Sequence, residues 1–197
     1  MKRDKLNIAL VGCGRISKSH LKAINKLKND CNLIALCDEN EDRLVNTNTF
    51  FTKDLNNDDL WIPYGEGAFQ ACSFNVTSGG FANVLRLPPG TKLNPHYHVG
   101  IVHGYTIQGQ WGYLEHPWRA TAGTYIYEPP GEMHTLVSDG DEDMIAFFHL
   151  QGGLVYVDNM EEGNMVGYDD GFTLLDIARK HYKEKGFDLS KLDAMIR

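Results

Sequence analysis

The sequence predicts a mainly β protein, in which a jelly-roll barrel follows a short βαβ segment and ends in a C-terminal helix. Three observations support this prediction. Glycine and proline turns separate many short apolar stretches beyond residue 57. A strand, a glycine-rich turn, a helix and a second strand can be placed within residues 7–38. Apolar residues recur at helical spacing after residue 171.

Composition and charge limit the function classes. The chain has 197 residues, 42% of them hydrophobic, which suffices for a core of its own. Its formal net charge of -7 argues against a nucleic-acid or an anionic membrane partner. No apolar run approaches the roughly 20 residues of a membrane span, and no secretory signal pattern is found. We therefore expect a cytoplasmic protein, with its four cysteines as free thiols.

The first segment has the order of a dinucleotide-binding unit. The apolar run 7–11 leads into Gly12 and Gly14, and a second apolar run, 33–37, ends at Asp38. In such a unit the glycines let backbone amides approach a pyrophosphate, and the acid accepts a hydrogen bond from a ribose hydroxyl. These three residues are the candidate cofactor-binding residues of the segment.

The glycine turn also carries a family resemblance. The run Gly12-x-Gly14-x-Ile16-Ser17-x-x-His20 resembles the start of the glucose–fructose oxidoreductase and inositol dehydrogenase family. The later strands of that Rossmann domain cannot be found here, and a cofactor lies across two halves of such a sheet. We therefore interpret residues 1–56 as a partial Rossmann-like segment and expect no working NAD(P) site. It is either a vestigial NAD(P)-binding unit or an appended fragment.

Residues 57–197 form the predicted barrel domain. The polar stretch at 56–59 marks the junction, and stiff Pro-Pro-Gly turns at 88–90 and 129–131 precede histidine-bearing strands. Short strands at regular spacing are typical of a sandwich or a jelly roll. The candidate strands are 68–76, 81–87, 101–107, 110–115, 123–127, 134–137, 144–150 and 154–157. The predicted C-terminal helix ends near Gly186.

Three histidines are the candidate metal ligands. His96 and His98 are two residues apart, so in an extended strand both side chains point to one face. His134, from a distant strand, would complete a set of three imidazoles and leave other coordination positions open. Open positions allow oxygen or substrate to bind, so the pattern favours a catalytic metal site.

The same stretch resembles the cupin superfamily. The first cupin motif, G-x5-H-x-H-x(3,4)-E-x6-G, and the second, G-x5-P-x-G-x2-H-x3-N, can both be traced. The matching residues are Gly90, His96, His98, His103 and Gly109, then Gly123, Pro129, Gly131, His134 and Ser138. His103 stands in place of the usual glutamate, His103 to Gly109 is one residue short, and Ser138 replaces the asparagine.

Within the cupins, the stretch from His96 to Trp118 resembles the 2,4'-dihydroxyacetophenone dioxygenases and related diketone-cleaving enzymes. The resemblance implies an Fe(II) dioxygenase that cleaves a carbon–carbon bond of an aryl α-hydroxyketone or a diketone. Zinc, nickel or manganese could occupy the same imidazoles. Two alternatives stay open: a zinc-binding sensor module, as in anti-sigma proteins, and a metal-dependent hydrolase or isomerase. By analogy with cupins we expect a homodimer.

Two further residues are candidates for catalysis. His103 is either a fourth ligand or a group that holds a ligand or a substrate oxygen. Glu115 either orients a ligand imidazole, acts as a base, or is a solvated acid on a strand face. Glu128, just before Pro129, either reaches the cavity rim or is a turn carboxylate. Aromatic residues of the nearby strands suit an aryl ketone, although at least half are expected in the core.

Overall fold

The computed structural model describes residues 5–11, 17–27, 30–37 and 54–196. The chain divides into two units, Met1–Asp54 and Leu55–Arg197. Each unit is considered by itself.

The first unit contains the predicted strand–helix–strand order. Strand β1 (Leu6–Val11) precedes helix α1 (Ser17–Lys26), which leads to strand β2 (Cys31–Cys37). The two strands pair in parallel, as a βαβ connection requires. The candidate cofactor-binding residues Gly12, Gly14 and Asp38 lie outside the described residues. The dinucleotide hypothesis for this unit stays a prediction.

The second unit is an antiparallel barrel, as predicted. Its strands are β3 (Ile62–Tyr64), β4 (Gly67–Phe74), β5 (Phe81–Leu87), β6 (His96–His98), β7 (Val102–Gln108), β8 (Gln110–Tyr113), β9 (Ala120–Thr121), β10 (Tyr125–Glu128), β11 (Met133–His134), β12 (Leu136–Ser138), β13 (Met144–Leu150), β14 (Leu154–Val157) and β15 (Met165–Asp169). The pairings among these strands are antiparallel. A short 3-10 turn over Asp58–Leu60 precedes them.

The strands form three sheets. One has six strands in the order β10-β7-β13-β5-β4-β3, one has four in the order β11-β6-β14-β15, and one has three in the order β12-β8-β9. Their inner faces share one apolar core, in which Phe69, Trp111 and Met144 are fully buried. Trp111 also satisfies its indole N–H, which donates to Oγ1 of Thr106 at 2.8 Å. The four-stranded sheet places β6, with its two histidines, between β11 and β14.

A C-terminal helix packs on the barrel, as predicted. Helix α2 (Gly171–Lys185) begins after Asp170, whose carboxylate accepts from the backbone N–H groups of Phe172 and Thr173. It ends at Gly186, which has the left-handed φ of 71° typical of a helix C-cap. Leu174 and Ala178 are buried in the barrel core. The short helix α3 (Ser190–Asp193) follows. Among the described residues, no helix has both the length and the hydropathy needed to cross a membrane.

Candidate metal centre

The local strand pattern directs two histidines inward. Along β6, His96 and His98 are buried and Tyr97 between them is half-buried, as expected for alternating sides of a strand. The strand pairs with β11 on one side and β14 on the other. Since neighbouring strands place directly opposite residues on the same face, the inward face of β6 determines what surrounds the two imidazoles.

Strand register brings the third histidine to the same place. His134 lies directly opposite His96 in the β11–β6 pairing, and Tyr156 lies opposite His96 in the β14–β6 pairing. The rings of His96 and His134 have centroids 4.8 Å apart, and those of His98 and His134 are 5.1 Å apart. Residues from three strands that are distant in sequence therefore form one cross-strand row.

The three imidazoles have the spacing that one metal ion needs. One ring nitrogen from each of His96, His98 and His134 lies within 4.8 Å of the other two. The Nε2 atoms of His98 and His134 are 3.2 Å apart. Two imidazoles at the usual metal–nitrogen distance of about 2.0–2.1 Å have nitrogens roughly 3 Å apart. The geometry of this pair thus fits ligation of a common cation.

Burial keeps two of the imidazoles, those of His96 and His134, in the neutral form that binds metals. Burial, with a smaller effect of the neighbouring imidazoles, lowers the pKa of His96 to about 4 and that of His134 to about 2. Nδ1 of His96 lies 2.9 Å from the backbone carbonyl of Asn94. Because that carbonyl can only accept, the proton of His96 is on Nδ1 and the lone pair of Nε2 is available to a metal.

A carboxylate completes the polar part of the site. Glu128 is 6% exposed, and its Oε2 lies 3.2 Å from Nε2 of His98 and 3.7 Å from Nε2 of His134. The other oxygen, Oε1, accepts a hydrogen bond of 2.5 Å from the Tyr113 hydroxyl. The Tyr113 ring also stacks on His134, with centroids 3.7 Å apart and planes inclined by 8°. Tyr113 therefore orients both the carboxylate and an imidazole.

The arrangement fits a bound cation. Among the described residues, Glu128 Oε2 has no hydrogen-bond partner and is buried together with the imidazoles of His98 and His134. An unpartnered buried carboxylate oxygen is costly, whereas a divalent cation between Oε2 and the Nε2 atoms of His98 and His134 would compensate its charge. His96, His98 and His134 would hold the ion, with Glu128 beside it.

An apolar cavity of about 60 Å³ adjoins the histidines. His96, His98, Tyr113 and Glu128 belong to its lining, and most of the other lining residues are aliphatic or aromatic. A second cavity, of about 290 Å³, is lined by Trp118, Tyr127 and Glu132 among others, and it shares Tyr113 and Glu128 with the first. The hydrogen-bonded Tyr113–Glu128 pair thus lies between the two cavities.

The structure does not bring His103 into this site, in contrast to the expectation that it acts there. Along β7 the buried residues Val102 and Gly104 alternate with half-exposed His103. The imidazole therefore lies on the outer face of the sheet, where Nδ1 is 2.8 Å from the Tyr125 hydroxyl. His103 thus aligns with the cupin glutamate in sequence but does not occupy an inward-facing position. Side chains alternate along a strand, so a shift of one residue turns a side chain to the opposite face of the sheet.

Glu115 lies at the edge of the site. Its side chain is exposed, and Oε2 accepts a hydrogen bond of 2.9 Å from the backbone N–H of Thr135. Since Thr135 directly follows His134, this bond fixes the backbone that carries the third imidazole. The contact agrees with an orienting role and places the carboxylate outside the cavity lining.

Several residues of the site carried little signal in the sequence. Glu128 could have been placed inward from the pattern of β10, where exposed Tyr125 and Tyr127 alternate with half-buried Ile126 and buried Glu128. Tyr64, which also lines the cavity, precedes the predicted strands and showed no pattern. Of the aromatic residues expected around the site, Tyr113 lines the cavity, Trp111 is core, and Tyr125 and Tyr127 are more than half exposed.

Comparisons with known proteins agree with this architecture. The family model described as the ChrR cupin-like domain matches residues 55–154, about half of the chain. An RmlC-like cupin protein from Ralstonia eutropha JMP134 is 30% identical, with a TM-score of 0.61 over 65% of this chain and 84% of the other. A cupin-like protein of unknown function from the same organism is 27% identical, with a TM-score of 0.57 over 61% and 75%.

An acetylacetone dioxygenase from Acinetobacter johnsonii shares the fold at 15% identity. Its TM-score is 0.58, and the similarity covers 66% of this chain and 91% of that one. A search of curated proteins gave no significant match. The family model lies within the barrel unit, and it agrees with the predicted jelly roll.

Proposed function

Because this chain belongs to the family of ChrR cupin-like domains, we propose that its three-histidine cluster binds a divalent metal, with iron as the first candidate, and that the protein is a dioxygenase. Its substrates would be diketones or α-hydroxyketones, in which dioxygen cleaves a carbon–carbon bond. One observation carries the proposal: three buried imidazoles and one buried carboxylate converge beside an apolar cavity that His96, His98 and Glu128 line.

The residues of the site suit this chemistry. The bound metal would supply a positive charge that acidifies an enolisable ketone, together with the capacity to react with dioxygen. Glu128 Oε2, directed toward the imidazoles, is placed to accept the proton that the substrate loses on enolisation. Tyr113 holds that carboxylate through Oε1, so that Oε2 stays directed at the site. The apolar walls keep water away from the electron-rich enolate.

The cavity size bears on the substrate. A space of about 60 Å³ is well below the roughly 300–1,000 Å³ of a pocket for a drug-sized ligand. A short aliphatic diketone or hydroxyketone therefore needs less displacement of side chains than an aryl ketone. An aryl group would have to extend past Tyr113 and Glu128 into the larger cavity.

Oxygen uptake tests the proposal directly. The purified protein, loaded anaerobically with Fe(II), is given acetylacetone, an aliphatic α-hydroxyketone or 2,4'-dihydroxyacetophenone in an oxygen electrode. We expect stoichiometric oxygen consumption with at least one of them and formation of two carbonyl or carboxylate fragments. Unchanged oxygen together with rearranged or hydrolysed ketone would indicate a metal-dependent isomerase or hydrolase instead.

A second candidate, a zinc-binding sensor or interaction module, is favoured by the position of Glu128. If Oε2, which lies 3.2 Å from His98 Nε2, joined the three imidazoles as a ligand, the site would have four protein ligands. Closed tetrahedral sites of that kind are typical of structural zinc. Metal analysis of protein from cells supplied with both iron and zinc separates the candidates, since stoichiometric zinc without oxygen uptake would support the sensor.

A further inference from the structure

A pair of tyrosines lies in the cavity wall beside the candidate metal ligands. Tyr64 and Tyr156 both line the cavity, and the Tyr156 ring lies 5.9 Å from the ring of His96. The two hydroxyl groups are hydrogen-bonded to each other, and Tyr64 also donates to Oδ2 of Asp169. Oδ1 of Asp169 accepts a hydrogen bond of 2.9 Å from Thr173 at the start of α2.

Counting protons shows what this pair offers to a ligand. The two hydroxyl groups have one proton each, and both protons are used within the hydrogen-bonded network of Tyr64, Tyr156 and Asp169. An ordinary phenol has a pKa of about 10, so both protons are retained at neutral pH. The remaining lone pairs of the two oxygens can only accept hydrogen bonds.

A second acceptor in the same cavity is also unused. Asn83 is 6% exposed and belongs to the cavity lining, and its Oδ1 has no hydrogen-bond partner among the described residues. A buried carbonyl oxygen without a donor is costly, and a ligand hydroxyl or N–H would satisfy it. The apolar cavity wall beyond the imidazoles therefore offers acceptor oxygens at Tyr64, Tyr156 and Asn83, and the Asn83 amide also carries N–H donors.

We propose that Tyr64, Tyr156 and Asn83 select a substrate that carries a hydroxyl or another hydrogen-bond donor in addition to the oxygens that meet the metal. This inference rests on the proposed function, because it assumes that the substrate's chelating oxygens bind at the imidazole cluster. A plain diketone leaves the acceptors unpaired, and a carboxylate beside the two tyrosines meets the lone pairs of their oxygens.

Hydroxamates separate this inference from the oxygenase proposal, because they chelate metals without any reaction with oxygen. The full chain is loaded with Ni(II), and calorimetry compares alkyl hydroxamates of two to five carbons with their ω-hydroxy counterparts. At one chain length we expect the hydroxylated probe to bind about tenfold more tightly, the effect of roughly one well-made buried hydrogen bond. Equal or weaker binding at every length, or no binding of either series, would overturn the inference.

Variants locate the effect. Tyr156→Phe and Asn83→Leu should each reduce the tenfold preference toward one while leaving alkyl hydroxamate binding unchanged. Tyr168→Phe is the matched control, because that exposed hydroxyl also donates to a carboxylate, on Asp170, outside the cavity. If the network only anchors α2, the two cavity variants lower the unfolding temperature and keep the preference, and the inference falls. Selective hydroxamate binding without ketone-dependent oxygen uptake would refute the oxygenase alone.

Discussion

The Tyr113 hydroxyl donates to Oε1 of Glu128, while Oε2 of the same carboxylate lies 3.2 Å from Nε2 of His98. One side of the carboxylate is thus fixed by a neutral donor, and the other side faces the candidate ligands. Removing its charge should therefore change the site more than removing an exposed carboxylate nearby.

Glu128→Gln tests that relationship. The variant keeps the shape of the side chain but loses a negative charge 3.2 Å from His98 Nε2 and 3.7 Å from His134 Nε2, the nitrogens that would hold the cation. The attraction between two unit charges about 4 Å apart is about 1 kcal/mol in water and about 4 kcal/mol near a protein surface. We expect the affinity for a divalent metal to fall about tenfold or more, measured by competition with a chromogenic chelator. Glu132→Gln is the control, because that carboxylate pairs with the 32% exposed His116 at 2.8 Å. An equal loss of metal affinity in both variants would contradict the role assigned to Glu128.

The ligand assignment is tested by truncating the imidazoles. His96→Ala and His134→Ala should lower metal affinity more than about a hundredfold and abolish oxygen uptake, since loss of an outer partner alone costs roughly 10–100-fold. His103→Ala should keep metal and oxygen uptake, because that side chain lies on the outer face of β7. Metal content by emission spectroscopy is the measurement. Full metal stoichiometry in either of the first two variants would refute the assignment.

The lowered pKa values predict how stability depends on pH in the metal-free protein. A pKa of about 4 for His96 and about 2 for His134 lies below the unfolded value near 6.5. Above pH 6.5 neither imidazole takes up a proton in either state, and their contribution to stability is constant. As the pH falls below 6.5, the unfolded chain binds protons that the folded chain does not, so folding is progressively disfavoured.

The size of this effect follows from proton linkage. Each such imidazole lowers the unfolding free energy by at most about 1.4 kcal/mol per pH unit, so the pair contributes about 2–3 kcal/mol per unit near pH 5. Urea unfolding at pH 7, 6 and 5 measures it. His134→Asn should remove about half of the steepening that the pair causes. An unchanged pH dependence in that variant would show that His134 is not buried in a neutral state.

The barrel could be predicted from the sequence because its turns and its alternation are local signals. Strands β5, β13 and β14 have the predicted bounds, and Gly186 ends helix α2 as expected. Strand β15 was missed because its residues are mostly exposed and show no apolar face. Local pattern thus found the longer strands that bury side chains. It missed the solvated β15 and also the three-residue β3, although Ile62 in β3 is buried.

The site was predictable only in part, for a physical reason. The inward direction of His96 and His98 follows from a two-residue spacing along one strand. The pairing of His134 with His96 and the approach of Tyr64 to Asp169 depend on which strands pair and in what register. His103 shows the limit most clearly, because its sequence spacing matched a motif position while its side chain faces the other side of the sheet.

Glu115 allows its two predicted roles, positioning residue and base, to be separated. Its Oε2 accepts from the Thr135 N–H at 2.9 Å, next to His134. Glu115→Gln retains an acceptor oxygen and should leave metal affinity and the pH profile of oxygen uptake within about twofold of the original. Glu115→Ala leaves that N–H without its partner and should cost about 1 kcal/mol of stability, with a several-fold loss of metal affinity.

If Glu115 were instead the base, the glutamine variant would lose oxygen uptake as completely as the alanine variant while retaining its metal. Parallel metal titrations and oxygen-electrode traces of the two variants therefore distinguish the roles.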